Sequence, residues 1–397
     1  MRLAAYFTAA FVVASSVAHA DDGLGLKRGG SNDNVTISGA SSGSAMAVQY
    51  AVAHSKSIVG VGAIAGPVWG CADGRISQAV NACMCGLQSF ESKVNAAREL
   101  AASGAIDSLF SGKPQALRRA FVFHSADDPT VVVQSGKASI AFLAAFIGNG
   151  PEVDWGNADD DSNHAGHGIV SPGGTDSCRV NGREKTYVRQ CGAEDNARDL
   201  FRAVYPDVPF DASKRVDDIQ ESEVWRFDQK RLIEQVKAGG STVSWDDWSW
   251  FYPWFYSTSR RKDFDMAATG YIYVPPPCRQ AGRSCRVHVA LHGCKQDAKE
   301  FATRAGFNNW AEHYNVIVVY PGVEPGVPIA EGCPTSVSFV ADYAWLEPNP
   351  NGCWDWWGYL DTGNHKNRYL TKAAPHMQVI ERIIDEVTAP LAAPQYW

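Results

Sequence analysis

The sequence predicts an α/β protein in which helices flank a mostly parallel central sheet. Short runs rich in β-branched residues alternate along the chain with segments of helical pattern, as is typical of parallel sheets covered by helices. The clearest unit is the apolar run Val35 to Ile37, which leads through a glycine-rich turn into the helical run Ala45 to Ala53.

The remaining elements follow from the same alternation. The predicted strands are Val35–Ser38, Val59–Ala65, Ala120–His124, Gly270–Val274, Arg286–Leu291 and Val316–Tyr320. The predicted helices are Gly43–His54, Arg75–Cys83, Glu91–Ser103, Ala193–Val204, Lys230–Ala238, Ala298–Tyr314 and Pro375–Val387.

The turn after the first strand reads Gly39-Ala40-Ser41-Ser42-Gly43, a Gly-x-Ser-x-Gly motif. A sharp turn between a strand and a helix lifts such a serine above the sheet, where its hydroxyl can act as a nucleophile. Serine turns of this size also occur for structural reasons alone, so the motif indicates catalysis only together with a base and an acid elsewhere in the chain. We predict Ser41 as the nucleophile.

A nucleophilic serine needs a base, and the base needs an acid that orients it. In sheets of this type the three follow in the order serine, acid, histidine. Asp127 and Asp128 follow the strand Ala120–His124. They therefore lie beyond the carboxyl ends of the parallel strands, where catalytic groups are located in such sheets. Asp128 is the predicted acid, with Asp127 as the alternative, and His167 in the next glycine-containing loop is the predicted base.

The turn Leu291-His292-Gly293-Cys294 looks like the strand-end turn that supplies an oxyanion-hole N–H. In ordinary α/β-hydrolases this turn precedes the nucleophile, whereas here it comes much later in the chain. The amphipathic final helix has no strand after it, and joining it to the strand at Val35 would restore the ordinary order. The sequence therefore predicts a circularly permuted α/β-hydrolase.

Residues 1–20 have a positive start, an apolar middle and the ending Ala18-His19-Ala20, which predict a secretory signal peptide rather than a buried helix. No later stretch approaches the roughly 20 apolar residues of a membrane span. We expect residues 21–397 to form one catalytic domain in the periplasm or outside the cell, with 193–266 as an insertion or lid. The net charge of −7 argues against nucleic acid as a partner.

Ten cysteines in an exported chain favour disulfides over thiols or zinc. A zinc site at Cys83 and Cys85 would lack a second cysteine pair, and a cation held by His164, His167 and Asp159–Asp161 would lack the spacing of a calcium loop. The pairs close in sequence are Cys71 with Cys83 or Cys85, Cys178 with Cys191, and Cys278 with Cys285. These leave Cys294, Cys333 and Cys353, together with whichever of Cys83 and Cys85 is unpaired.

From about Val35 to Ile384 the chain resembles the extracellular poly(3-hydroxybutyrate) depolymerases, particularly the circularly permuted single-domain type. The resemblance is most specific in its tryptophan-rich segment. It is carried by Ser38 to Gly43 with Met46-Ala47, Gly60 to Gly66 with Cys71-Ala72, Ala165-Gly166-His167, Tyr271 to Pro275, Leu291 to Gln296, Gly306-Phe307-Asn308, Tyr320-Pro321 and Asn351 to Tyr359.

The resemblance implies a secreted serine esterase that hydrolyses poly(3-hydroxybutyrate), or related short-chain polyhydroxyalkanoates, to oligomers and monomer through an acyl-enzyme. Its partner would be an insoluble or oligomeric polyester, it would need no metal or organic cofactor, and we expect a monomer. Carried over by position, Ser41 is the nucleophile, Asp128 the acid and His167 the base, while the N–H groups of Ser42 and Cys294 form the oxyanion hole. A disulfide from Cys294, with Cys353 as the candidate partner, would fix that loop.

The chain departs from the family where Gly322 follows Tyr320-Pro321, because the family tends to have glutamine there. We expect no separate substrate-binding domain after the catalytic part, so that adsorption to polymer would use the catalytic domain itself. Trp354, Trp356 and Trp357 are predicted to line an apolar substrate cleft, with core packing as the alternative. The aromatic run Trp245 to Tyr256 is either a lid or adsorption surface or internal packing.

Two other functions remain open at this point. A secreted esterase of the feruloyl or acetyl-xylan type would use the same three residues on a carbohydrate ester. A non-catalytic polymer-binding protein could retain the fold without the reaction, since a fold alone does not determine function.

Overall fold

A computed structural model describes residues 26, 28–109, 117–155, 164–180, 184–240, 263–280, 282–324, 333, 349, 351–361 and 367–390. Two sheets are built from these residues. The larger sheet consists of β1 (Val35–Ala40), β2 (Ile58–Ile64), β3 (Arg119–Phe123), β4 (Glu152–Asp154), β8 (Val224–Asp228), β9 (Thr269–Tyr273), β10 (Arg286–Leu291) and β11 (Val316–Tyr320). The smaller sheet consists of β5 (Ile169–Val170), β6 (Asp176–Ser177) and β7 (Val188–Gln190).

The larger sheet has the strand order β4-β3-β2-β1-β10-β11-β9-β8. The six strands from β4 to β11 are parallel, and β9 and β8 are antiparallel to their neighbours. Strand β1 lies in the middle, with Ile37 opposite Val61 of β2 and Val289 of β10. The predicted α/β architecture is confirmed.

Helices cover both faces of this sheet. Helix α1 runs directly from β1 and all of its residues are buried, as expected for a helix wrapped by other elements. The helices are α1 (Ser42–Ala53), α2 (Ile76–Gln78), α3 (Phe90–Ala102), α4 (Val133–Ala144), α5 (Asn196–Val204), α6 (Gln229–Ala238), α7 (Ala298–Arg304), α8 (Phe307–Tyr314) and α9 (Pro375–Thr388). A π-helical turn (Ala79–Cys83) continues α2, and short 3₁₀ turns occur at Ala212–Lys214, Glu221–Glu223, Pro276–Arg279 and Arg368–Leu370.

The helix predicted from Ala298 to Tyr314 is two helices, and the single-helix prediction is wrong. Gly306 interrupts it with a left-handed backbone at φ 88°. A Cβ atom at this position would lie 3.0 Å from the Ser171 hydroxyl oxygen, so a glycine lets the α7–α8 turn approach the neighbouring segment closely.

The start of the fold lies against the end of its last helix. The Gly30 N–H donates to the Val387 carbonyl at 3.0 Å, and the Gly29 N–H donates to the Ala389 carbonyl at 3.2 Å. The segment that leads into β1 is therefore adjacent to the C-terminal end of α9. This is the junction that the predicted circular permutation requires.

The segment 193–266 contributes α5 to one face of the sheet and β8 to its edge. Helix α6 then packs beside α9. Its function as a lid stays a prediction, because the aromatic run Trp245 to Tyr256 lies outside the described residues.

Candidate active site

The turn between β1 and α1 holds Ser41 in an unusual backbone conformation, with φ 55° and ψ −117°. Two glycines make the turn possible. A Cβ atom on Gly43 would lie 2.3 Å from the carbonyl oxygen of Leu291, and one on Gly39 would lie 2.3 Å from that of Gly43. The Ser41 N–H donates to the Ile64 carbonyl at 2.9 Å, which ties the turn to β2. The Gly-x-Ser-x-Gly spacing is therefore a steric requirement of this turn.

The structure brings Ser41, His167 and Asp128 together in a continuous line of hydrogen bonds. The Ser41 hydroxyl lies 2.7 Å from Nε2 of His167, and Nδ1 of His167 lies 2.8 Å from Oδ2 of Asp128. A carboxylate only accepts, so Nδ1 carries the proton and Nε2 is free to accept one from the serine. All three residues were singled out from the sequence.

Asp128 is buried, and its carboxylate is held on both oxygens. Oδ1 accepts the backbone N–H groups of Thr130 at 2.9 Å and Val131 at 3.0 Å, while Oδ2 faces His167. Burial by itself raises the pKa of Asp128, but the charge and hydrogen bond of His167 and the nearby His124 outweigh it and lower the pKa below its usual value. The carboxyl is therefore ionised over the neutral range.

Asp127, the alternative acid, points elsewhere. Its Oδ2 pairs with Nδ1 of His164 at 2.7 Å, and both side chains are substantially exposed. The two consecutive aspartates thus make two separate pairs with the two histidines of one loop, and the buried pair reaches Ser41. Asp159–Asp161, which the cation alternative requires, lie outside the described residues.

A buried arginine supports the histidine loop. Nε of Arg189 donates to the His167 carbonyl at 2.7 Å, and Nη1 donates to the Ser177 carbonyl at 2.9 Å. The Cys178–Cys191 disulfide links the segments on either side of this contact. A Cβ atom on Gly166 would lie 2.6 Å from the guanidinium carbon, so the small residue makes room for the arginine. Sequence analysis missed Arg189, because its acceptors are backbone groups that carry no residue-type signal.

The turn after β10 packs directly on the nucleophile. A Cβ atom on Gly293 would lie 3.1 Å from Cβ of Ser41. Nε2 of His292 accepts the Val323 N–H at 3.0 Å, so the proton of this imidazole is on Nδ1, which donates to the Gly293 carbonyl at 2.8 Å. Because a trans peptide directs its N–H opposite to its C=O, this contact also fixes the direction of the Cys294 N–H.

The three tryptophans predicted to bind substrate are all buried. Trp354 has no exposed surface and its indole N–H donates to the His292 carbonyl at 2.9 Å, so it packs behind the turn after β10. Trp356 and Trp357 are 4% and 7% exposed and meet edge to face at 5.5 Å. These positions match the core-packing alternative, and contact with substrate stays a prediction.

All ten cysteines lie in disulfides, which rules out zinc at Cys83 and Cys85. The Cys294–Cys353 bond joins the turn after β10 to the tryptophan-rich segment, which confirms Cys353 as the partner of Cys294. The other pairs are Cys71–Cys83, Cys85–Cys333, Cys178–Cys191 and Cys278–Cys285.

One group of carboxylates away from Ser41 was not predicted. Asp154, Glu194 and Asp199 bring oxygen atoms within 4.8 Å of one another. Burial, with the charge of Asp154, raises the pKa of Glu194 to about 8. Arg198 already lies 2.6 Å from Asp199 and 3.4 Å from Glu194, so the group is neutralised in part by the protein itself.

No family model matches the chain, but curated relatives do. A poly(3-hydroxybutyrate) depolymerase from Delftia acidovorans is 26% identical over 362 residues, which are 89% of this chain and 59% of that protein. The chain is related to the poly(3-hydroxybutyrate) depolymerases. A polyhydroxybutyrate depolymerase from Talaromyces funiculosus is 37% identical over 101 residues, 24% of this chain and 26% of that protein. The matched residues thus span less than two thirds of the length of either depolymerase.

Two solved depolymerase structures share the fold. A serine-to-alanine variant of a PHB depolymerase, complexed with an R3HB trimer, is 22% identical, with a TM-score of 0.64 over 91% of this chain and 98% of the other. The PHB depolymerase from Penicillium funiculosum is 23% identical, with a TM-score of 0.66 over 92% and 99%. The predicted α/β-hydrolase fold and the predicted resemblance are both confirmed.

Proposed function

We propose that this chain is a serine esterase that hydrolyses poly(3-hydroxybutyrate), or related short-chain polyhydroxyalkanoates, to oligomers and monomer. The observation that carries the proposal is the hydrogen-bonded line from Ser41 through His167 to Asp128. The names of the relatives support polyester as the substrate class. The intact line of three residues argues against a non-catalytic polymer-binding protein.

The reaction begins at the serine hydroxyl. Nε2 of His167 takes the proton of Ser41 while Oγ attacks the ester carbonyl, and the negative charge moves onto the carbonyl oxygen. When the tetrahedral intermediate collapses, the ester bond breaks and His167 protonates the departing alkoxide oxygen, which leaves as an alcohol. Water then attacks the acyl-enzyme while His167 again accepts a proton. His167 returns this proton to Oγ of Ser41 as the 3-hydroxyacyl group leaves as a carboxylic acid. No cofactor enters any step.

The backbone N–H groups of Ser42 and Cys294 would hold the oxyanion. Ser42 begins α1, where unpaired N–H groups and the helix dipole favour negative charge. The Cys294 N–H is directed by the His292 contact to the Gly293 carbonyl, on a turn that packs against Ser41. Loss of one such donor costs about 3–4 kcal/mol of transition-state stabilisation.

Asp128 sets the tautomer that the base needs. Its buried carboxylate accepts from Nδ1 of His167 and stabilises the imidazolium that forms during each proton transfer. In this proposal Trp356 and Trp357 contribute to the apolar wall of the substrate cleft, and residues 193–266 supply a lid. Trp354 packs behind the turn after β10 instead, with its ring against those of His292 and His376.

We further propose that the protein works as an exported monomer on insoluble or oligomeric polyester. Its cysteines form five disulfides, which persist in oxidising compartments. Within the described parts of the chain, no helix combines the length and apolar character needed to cross a bilayer.

Labelling and substrate profiling together test the proposal. A serine-reactive alkyl phosphonate should modify Ser41 and block hydrolysis of a short p-nitrophenyl ester. Soluble 3-hydroxybutyrate oligomers should be cleaved faster than feruloyl or acetylated sugars. Faster cleavage of the sugar esters would keep the site and replace the substrate class. Failure of the phosphonate to label Ser41 would instead favour a non-catalytic binding protein.

A further inference from the structure

Gln296 is a buried side chain that joins two separate parts of the site. It is 4% exposed, and its amide is used at both ends. Oε1 accepts the Gly293 N–H at 2.5 Å, and Nε2 donates to the Thr186 carbonyl at 2.5 Å. The first contact lies within the turn that packs on Ser41, and the second reaches a segment that is distant in the chain.

The segment at Thr186 is the support of the histidine loop. The carboxylate of Asp176 accepts the N–H groups of Thr186 at 3.0 Å and Tyr187 at 2.7 Å. The Tyr187 carbonyl accepts the Ile169 N–H at 3.1 Å, two residues after His167, and the Tyr187 ring meets the His167 ring edge-on with centroids 6.3 Å apart. A group anchored at Thr186 is therefore anchored to the part of the protein that holds the base.

The contact at Gly293 bears on the peptide that would bind the oxyanion. This peptide joins Gly293 to Cys294, and its C=O accepts from His292. On one side of it the Gly293 N–H is held by Gln296, and on the other the Lys295 N–H donates to the Asn351 carbonyl at 2.7 Å. Hydrogen bonds therefore hold the N–H before this peptide, the C=O of the peptide itself and the N–H after it, and these three contacts fix the Cys294 N–H.

We propose that Gln296 is a positioning residue that sets the Cys294 N–H against the histidine loop, so that oxyanion donor and base keep a fixed separation. The inference rests on the proposed function, because it assigns a purpose to the oxyanion donor of that reaction. An oxyanion hole stabilises developing charge only when its donors are already in place before the reaction. A neutral amide suits this position, since it offers one acceptor and one donor on a single rigid group.

Gln296→Met tests the inference, because methionine has a similar shape and neither makes nor needs these hydrogen bonds. We expect kcat for a p-nitrophenyl ester to fall at least tenfold with KM within threefold of wild type. The affinity of a short alkyl boronic acid, which forms a tetrahedral adduct on the serine, should fall by the same factor as kcat/KM. The affinity of the 3-hydroxybutyrate product should stay unchanged.

Asn308→Leu is the matched control. Asn308 is also buried, and its amide is also used at both ends, since Oδ1 accepts from the Tyr320 hydroxyl at 2.6 Å and Nδ2 donates to the Ala302 carbonyl at 2.7 Å. Its loss should lower the free energy of unfolding as the loss of Gln296 does, yet leave kcat and boronate affinity unchanged. If Gln296→Met does not fold, Gln296→Asn keeps a neutral amide that is one methylene too short to reach both Gly293 and Thr186, and the same fall in boronate affinity is expected.

The outcomes separate the two proposals. Wild-type kcat and boronate affinity in a folded Gln296 variant would overturn the positioning role and leave the serine esterase intact. Equal losses of kcat in the Gln296 and Asn308 variants would show that both residues act only through the stability of the fold. Absence of ester hydrolysis and boronate binding in wild type would overturn the proposed function, and the positioning role with it.

Discussion

Replacing Asp128 by asparagine tests how the site sets the proton on His167. Oδ1 of Asp128 accepts two backbone N–H groups, from Thr130 and Val131, and Oδ2 faces Nδ1 of His167. An asparagine would keep its carbonyl on the two N–H groups, because turning the amide around would leave them facing an NH₂ donor, at a cost of about 1–3 kcal/mol for each unpaired group. Its NH₂ would then point at His167.

That orientation forces the wrong tautomer on the base. Nδ1 must accept from the asparagine, so the proton moves to Nε2 and faces the Ser41 hydroxyl, which His167 can no longer deprotonate. In serine hydrolases that use this arrangement the change lowers kcat about 10⁴-fold, which is about 5.4 kcal/mol of activation free energy. We expect a loss of that size in hydrolysis of a p-nitrophenyl ester at saturating substrate.

Asp127→Asn is the matched control, because Asp127 is the adjacent carboxylate and pairs with the exposed His164 instead. Its kcat should stay within threefold of wild type. Both variants should show the near-ultraviolet circular dichroism of the native fold. A folded Asp128→Asn enzyme that retains a tenth or more of the wild-type kcat, or a larger loss in Asp127→Asn, would refute the reasoning.

Three further outcomes follow from buried groups. Burial lowers the pKa of His288 to about 3 and that of His376 to about 4, so below their usual pKa near 6.5 the unfolded chain binds more protons than the folded one. Stability should therefore fall by a few kcal/mol between about pH 6.5 and pH 4, and urea unfolding midpoints that do not change over this range would contradict this. Gly43→Ala should prevent native folding or lower the melting temperature sharply, because its Cβ would lie 2.3 Å from a carbonyl oxygen; a native melting curve would contradict the steric account of the turn. Arg189→Met should lower kcat and the thermal midpoint together, since it frees the His167 carbonyl, and unchanged kinetics would show that the loop holds the base without it.

The sequence was sufficient to predict those features whose signal is local or follows from the topology of the sheet. All six predicted strands are present in the described residues, with ends within two residues of those predicted. Ser41, Asp128 and His167 could be found because each stands in a recognisable context, and the order along the chain then restricts which acid and which histidine can meet the serine.

Contacts between distant segments could not be predicted. Helix α4 was missed because Gly136 lowers the helical signal of its segment. The glycine is needed there because a Cβ atom would lie 2.5 Å from the buried ring of His124, a contact that the sequence does not reveal. The Cys85–Cys333 pairing spans 248 residues and has no local pattern. Gln296 carries no sign of its role either, because one of its two backbone partners, Thr186, lies far away in the sequence.

The glycines show how closely the nucleophile turn depends on the strand beside it. The backbone of Gly43 can lie directly against the backbone of the turn after β10 only because no side chain separates the two. The motif near the N-terminus and the turn after β10 therefore form one packed unit, although the permuted chain separates them. A short sequence motif could therefore predict the nucleophile, but the packing of the turn after β10 against it could be seen only in the structure.

Release of soluble 3-hydroxybutyrate products from amorphous poly(3-hydroxybutyrate), with wild type beside Ser41→Ala, tests the central claim most directly. The Ser41 hydroxyl is the atom that His167 faces at 2.7 Å, so its removal should leave the fold intact and abolish product release. Release by wild type that disappears in Ser41→Ala is the predicted result. Continued release by a pure Ser41→Ala preparation would contradict the nucleophile, and a wild type that cleaves p-nitrophenyl esters but not the polymer would contradict the substrate.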